Sequence, residues 1–280
     1  MLFYNSGIAV TRWRDGVMER KPETISEYTA WLKKVFNVEI DDRYRTYFDS
    51  VASKVKRDVE TSEFWSQFIG NFQAYDQEYL LKTGYPLFIP TIQPELLVKS
   101  FESFLLKTYR KNVVGNKWWP GEPEDGWILP NNWFLRINDI VRTLVVVKYF
   151  DGVEFVSGKI ESLCNQHIMD CEVCFEAREE GYYAAHLYPR RSFEIPKINW
   201  DTEKVMLSFE IQITTQLQEV IRKLLHKYYE QRRKMVKKPT EMWQWDYKCD
   251  EFSTNYLGHI LHYVEGMIME IRERQKEATS

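Results

Sequence analysis

The run Thr143-Leu144-Val145-Val146-Val147-Lys148-Tyr149-Phe150, β-branched and apolar and closed by Asp151-Gly152, limits this 280-residue chain more than any other feature. A strand with almost no polar alternation must be covered on both faces, so it belongs at the centre of a sheet with helices packed against it. The periodicity on either side differs. Ahead of it the chain reads as helix. Pro22-Glu23-Thr24-Ile25-Ser26-Glu27 supplies cap chemistry before Tyr28, Trp31, Leu32 and Val35, and the stretch 42–59 repeats Tyr44, Tyr47, Phe48, Val51 and Val55. A third helix follows Ser62, carries Phe64, Trp65, Phe68, Ile69 and Phe72 on one stripe, and runs to Gly84-Tyr85-Pro86. A helix over 94–110 precedes a loop, 111–133, that holds four Trp.

Past the central run the spacing predicts a helix at 153–163. Paired strands from Cys171 to Ala177 and from Tyr183 to Tyr188 flank Glu179-Glu180-Gly181, and Val205 to Ile213 reads as a fourth strand. A long helix over 216–236 places Leu217, Val220, Ile221, Leu224 and Tyr228 on its core side, and a last helix covers about 253–275. The expected fold is α+β: a mixed β-sheet flanked by helices, with an N-terminal helical region and a C-terminal helix. It divides into a helical accessory region at 1–96, a central domain at 97–238 and a C-terminal helical extension at 239–280.

Composition removes several function classes. The net charge of −3 makes no global demand for a polyanionic partner, although Arg222, Lys223, Lys227, Arg232, Arg233, Lys234, Lys237 and Lys238 crowd one segment. Four Cys are too few for a disulfide scaffold and read as reduced thiols, so a cytoplasmic location is expected; the N-terminal residues make a poor export signal, and no window approaches the roughly 18 apolar residues of a membrane span. Neither common Gly-rich phosphate loop is present. Cys164, His167, Cys171 and Cys174 have a metal-like spacing, but Cys171 and Cys174 fall three apart in a strand and face opposite sides, which favours buried thiols over zinc.

Polar groups inside the apolar strands carry the chemistry. Glu210 and Gln212 share one strand face while Ile211 and Ile213 take the other, and Asp139 stands at the start of the central strand. That pattern fits either a half-solvated sheet face or two carboxylates that hold a divalent cation. Tyr182, beside the turn glycine Gly181, either packs under its own hairpin or offers a stacking ring, with His186 four residues on and on the same side. Arg222, His226, Tyr229 and Arg233 form one helix stripe, either solvated or suited to phosphates.

Taken in order, Asp139-Ile140, Gly181-Tyr182…His186, Glu210-Ile211-Gln212-Ile213-x-Thr215 and His226-x-x-Tyr229 resemble the synthetase domain of the RelA/SpoT alarmone synthetase family, with the Glu210 to His226 gap of its small single-domain members. The resemblance covers about residues 97–236. It implies a nucleotidyltransferase-like sheet and an Mg²⁺-dependent transfer of the β,γ-pyrophosphate of ATP to the 3′-hydroxyl of GDP or GTP, giving ppGpp or pppGpp. It further implies that Asp139 and Glu210 are catalytic and hold the metal, and that Tyr182 stacks on the acceptor base. Gln212, His186, His226 and Tyr229 fall on acceptor and phosphate positions, and Arg222 lies on the same helix stripe. The family's adenine-stacking Arg is replaced by Leu144, with Arg142 on the same strand face as a substitute; Thr214 and Ala184 replace a further Arg and Ser. For the basic segment ahead of the Asp, Lys107, Arg110, Lys111, Lys117 and Arg136 are candidates, and Arg136 is nearest in sequence. No His precedes residue 90, so a metal-dependent hydrolase half is not expected. Two alternatives stand beside this reading: a toxin-like relative that modifies the 3′ end of tRNA or an adenosine nucleotide, its RNA held by the basic segment, and a degenerate synthetase fold that acts as an interaction or regulatory protein. In the latter, Tyr256, Ile260, Tyr263, Met267 and Ile271 would form an interaction or homo-oligomer surface.

Overall fold

A computed structural model describes residues 20–89, 93–199, 201–224 and 243–279. Four helices open the described chain: α1 (Ile25–Phe36), α2 (Asp42–Glu60), α3 (Glu63–Gly70) and α4 (Phe72–Thr83). Side-chain oxygens set three of the starts. Thr24 accepts from Glu27 N, Asp41 from Arg43 N and Tyr44 N, and Ser62 from Trp65 N, which satisfies amides that the helices leave without partners. The single third helix expected from Ser62 is two, because Asn71 (φ −84°, ψ −6°) sits between the helical stretches.

Strand β1 (Leu97–Val98) pairs antiparallel with the central strand β2 (Val141–Val147), so no helix covers 94–100; Ser100 caps α5 (Phe101–Tyr109) instead. A π-helical turn (Arg110–Val114) continues α5 and buries Asn112. Asn112 Oδ1 accepts from Ile128 N at 2.9 Å, and its Nδ2 donates to Ile128 O and to Tyr28 Oη. The Trp-rich loop is thereby pinned to α1, where Trp119 and Trp127 pack on Trp31, a structural role for its aromatic surplus. A short helix, α6 (Trp133–Arg136), leads to β2, and α7 (Phe150–Gln166) begins inside the predicted strand.

The remaining strands are β3 (Asp170–Ala177), β4 (Tyr183–Pro196), β5 (Thr202–Ser208) and β6 (Glu210–Thr215). The sheet order is β1-β2-β6-β4-β3, with β5 also on β4; β2 and β6 are parallel and the other pairs antiparallel. The expected single strand from Val205 to Ile213 is two. The fully buried Phe209 separates them, so that β5 pairs with the distal half of β4 and β6 with its proximal half. For the same reason β4 continues past Tyr188 to Pro196. One core joins Phe48, Val51 and Phe68 of the front helices to Val145, Ile160, Ile211 and Ile213. A smaller core joins Tyr28, Trp31 and Leu32 to Leu105 and Tyr109.

Helix α8 begins at 216 and is described to 224. Its buried side is Gln218, Glu219 and Ile221, while Val220 and Leu224 are exposed, contrary to the expected core stripe; Gln218 turns toward the last helix, and Glu219 pairs with Arg222. Tyr228 lies outside the described residues. Helix α9 (Asp250–Thr279) closes the fold with Tyr256, Ile260, Tyr263, Met267 and Ile271 exposed along it. Of the thiols read as buried only Cys164 is so; Cys171 is half-buried and Cys174 exposed, because β3 is an edge strand. Among the described residues, no helix is long and apolar enough to cross a membrane.

Candidate active site

Sheet register assembles the site. Arg142 of β2 is the Cα partner of Glu210 on β6, Leu144 of Gln212, and Gln212 in turn of His186 on β4. Strand alternation puts Ile211 and Ile213, both fully buried, on the core face, and Glu210, Gln212 and His186 on the other. Glu210 and His186 are nonetheless almost inaccessible, so this face is no solvated surface.

A continuous series of hydrogen bonds runs along it. Gln212 Nε2 donates to Tyr182 Oη, and the Tyr182 hydroxyl shares a hydrogen bond of 3.0 Å with His186 Nε2. His186 Nδ1 lies 2.7 Å from Glu210 Oε1, and because a carboxylate oxygen accepts, the Nδ1–H is the donor. Tyr188 Oη donates to the same oxygen at 3.2 Å. Among the described residues both donors fall on Oε1, which leaves Oε2 for another partner. Burial, and then the Glu210 charge, push the Tyr182 and Tyr188 hydroxyls up from their ordinary pKa, so both stay protonated. Glu176 Oε2 approaches His186 Nε2 at 3.6 Å; Glu176 also pairs with Arg178, whose guanidinium lies 5.2 Å from the centre of the Tyr182 ring.

Asp139 lies three residues ahead of Arg142, and its charge, like that of Glu210, reaches Tyr188. Lys99 Nζ and Lys107 Nζ each stand 2.8 Å from one of its oxygens. Burial alone would raise the Asp139 carboxyl, but the two ammonium groups outweigh it and hold the pKa at about 2. Burial pulls Lys99 below the ordinary lysine value. The basic partners of Asp139 are therefore Lys99 and Lys107 rather than Arg136, which is exposed and places its guanidinium against Gly126 in the Trp-rich loop. Arg142 is exposed beside Lys99, and half-buried Arg222 is held by both oxygens of Glu219 close enough to influence Tyr182. His226 and Tyr229 lie outside the described residues.

No family model matches this chain, and no curated protein matches it in sequence. Solved structures do. One is a GTP pyrophosphokinase family protein from Streptococcus pneumoniae, 17% identical, covering 85% of this chain and 95% of its own, at a TM-score of 0.45. Another is small alarmone synthetase 1 from Bacillus subtilis bound to its product pppGpp, 16% identical over 84% of this chain and 97% of its own, with a TM-score of 0.49. Small alarmone synthetase 2 from the same organism is 19% identical over 74% of this chain and 95% of its own, with a TM-score of 0.42.

Helix α9 completes the surroundings of Tyr182. Gly181 (φ +74°) and Gly258 of α9 touch backbone to backbone: a Cβ on Gly258 would stand 2.3 Å from Gly181 O, and one on Gly181 would stand 2.4 Å from Asn255 O. Tyr183 stacks on His262 with ring centres 3.6 Å apart. Lys99, Tyr188, Glu176 and Arg178 join the site without having been candidates. Only Tyr188 carried a direct signal, being two residues past His186 and so on its face.

Proposed function

We propose that this chain is an Mg²⁺-dependent pyrophosphokinase that moves the β,γ-pyrophosphate of ATP to the 3′-hydroxyl of GDP or GTP, breaking the bond between the α- and β-phosphates and releasing AMP. The observation that carries this reading is the hydrogen-bonded series Gln212, Tyr182, His186, Glu210, which joins two separated motifs on one sheet face next to the lysine-flanked Asp139 of a third.

The donor set suits the metal. Mg²⁺ prefers oxygen ligands and is commonly held by one or two carboxylates with substrate phosphates completing its shell. Asp139 and Oε2 of Glu210, which has no partner among the described residues, supply such oxygens. Bound there, Mg²⁺ would polarise the phosphate chain and offset its charge. Transfer of a pyrophosphoryl group depends mainly on positioning and charge stabilisation. Lys99, Lys107 and Arg142 present three cations to the donor triphosphate. Glu210, with Oε1 fixed by His186 and Tyr188, directs Oε2 either to the metal or, where Asp139 and the phosphates hold the metal, to the proton of the attacking hydroxyl. Tyr182 stacks on the acceptor base, a contact worth about 1–3 kcal/mol, and Gln212, Arg222, His226 and Tyr229 serve the acceptor and its phosphates.

Purified protein incubated with Mg²⁺, γ-labelled ATP and, separately, GDP, GTP, ADP or tRNA tests the reading. Labelled guanosine tetra- or pentaphosphate is the expected product, abolished in Glu210→Gln and Asp139→Asn. Label on tRNA or ADP alone would reject the acceptor. No transfer, or undiminished transfer in both variants, would reject the site.

A further inference from the structure

The turn that carries Tyr182 is gripped at both ends by one imidazole from a distant part of the chain. His259 of α9 receives the Tyr183 hydroxyl at Nδ1 (2.8 Å), and its Nε2–H donates to the carbonyl of Glu179 (2.9 Å). Residues 179 and 183 flank Gly181-Tyr182, so the two bonds span the whole turn. Between them Gly181 rests on Gly258, an approach that only glycine on both sides permits. Within the turn Gly181 N donates to Arg178 O at 2.9 Å, and Arg178 N donates to Tyr182 O at 3.0 Å. The turn is therefore a small closed unit whose place relative to the sheet is set from α9 as well as from β3 and β4. His259 itself does not touch Tyr182, His186 or Glu210 in any of these contacts.

We propose that His259 is a positioning residue for the acceptor-base site: by tying Glu179 and Tyr183 together it holds the Tyr182 ring where a base can stack before any nucleotide arrives. The inference rests on the reading of Tyr182 as the acceptor platform. Its physical content is pre-organisation. A turn that must be ordered on binding takes its ordering cost from the affinity, whereas a turn already held does not. The donor site, built by Lys99, Lys107 and Asp139 on other elements, gains nothing from His259. The clamp thus separates acceptor affinity from donor affinity, which a general loss of stability would lower together.

Isothermal titration of the full chain with GDP, and separately with a non-hydrolysable ATP analogue, tests this. His259→Ala is expected to weaken GDP roughly tenfold while the ATP analogue stays within about twofold. Tyr183→Phe, which removes one of the two bonds and keeps the ring stacked on His262, is expected to give a smaller loss of the same kind and covers the case in which His259→Ala does not fold. Equal weakening of both ligands, or unchanged GDP affinity in both variants, would overturn the proposal. Tyr182→Ala distinguishes the levels: if it leaves GDP affinity unchanged, the acceptor reading falls; if it weakens GDP while His259→Ala and Tyr183→Phe do not, only the role of His259 falls.

Discussion

Replacing Gly258 with Ala sets two well-known effects against each other at one atom. Alanine in a helix interior is favoured over glycine by about 1 kcal/mol. At Gly258 the new methyl would lie 2.3 Å from Gly181 O, where ordinary contact begins near 3.4 Å, so helix and turn must part by roughly 1 Å. Overpacking of this kind costs about 1–3 kcal/mol. The retreat also stretches both His259 bonds and the Tyr183–His262 stack. The net expectation is a loss of about 1–2 kcal/mol, a fall in Tm of roughly 2–8 °C for a chain of this size. The control lies on the same helix: a Cβ on Gly266 meets nothing within 4 Å, so Gly266→Ala has only the helix term and should stabilise. Differential scanning calorimetry of both variants against the parent decides. If Gly258→Ala melts at or above the parent, or if both variants shift in the same direction, the close packing of α9 on the Tyr182 turn is wrong.

Other perturbations follow from the same geometry. Tyr188→Phe removes one of two donors on Glu210 Oε1 and should lower kcat roughly tenfold with little change in either KM; unchanged steady-state kinetics would show that His186 suffices. Asp139, held at about 2 against an ordinary 3.8, contributes about 2 kcal/mol that is fully present above pH 4 and lost as pH falls through 2; in Lys107→Met, acid unfolding followed by circular dichroism should lose part of that limb. Glu265 is raised by burial, so its ionisation opposes folding at neutral pH and the penalty fades as pH falls toward its unfolded value; Glu265→Gln, which can still accept from Thr215, should melt higher than the parent at pH 7 and approach it in acid. Arg272 lies between the Tyr85 and Tyr149 rings, each centre 4.3 Å away, and bonds Asp151 and Tyr79. Arg272→Met should cost about 1–2 kcal/mol, since Asp151 loses its cation but is exposed enough for water to take over part of that role, read as a shifted urea midpoint.

Sequence patterns reach different depths along this chain. The apolar run of β2, the amphipathic front helices and the alternation of Glu210 and Gln212 were legible because each is a local consequence of which face is covered. Boundaries were not, where a tertiary partner decides them. Phe209 continues the alternate-residue apolar pattern of Leu207, Ile211 and Ile213, and only the transfer of pairing along the 14-residue β4 shows that it lies between one strand and the next. The outward turn of Val220 and Leu224 has the same origin: the groups facing Gln218 and Glu219 on α8 come from elsewhere in the fold or from its own helix turn. Of the site, the carboxylates, the ring and the imidazole were readable as residue types. Their joining through Tyr182 and Tyr188 was not, because hydroxyl partners depend on a register that only the folded sheet fixes. Lys99 illustrates a further limit, since nothing local distinguishes a lysine aimed at a buried carboxylate from one in water.

The parallel pairing of β2 with β6 has a bearing on how the protein acquires its chemistry. Asp139 and Glu210 are separated by about 70 residues of chain, and strands that run side by side in one direction can be joined only by a crossover, which here includes α7 and the whole β3–β4–β5 excursion. Closing so long a segment is slow relative to forming the helices and hairpins within it. The pairing that brings the two carboxylates together is therefore expected to be among the slow steps of folding, and it coincides with burial of Ile211 and Ile213 in the core. A chain interrupted before residue 210 during synthesis would hold Lys99, Lys107 and Asp139 but not Glu210, so the proposed pyrophosphoryl transfer should first be detectable only in chains extended through β6.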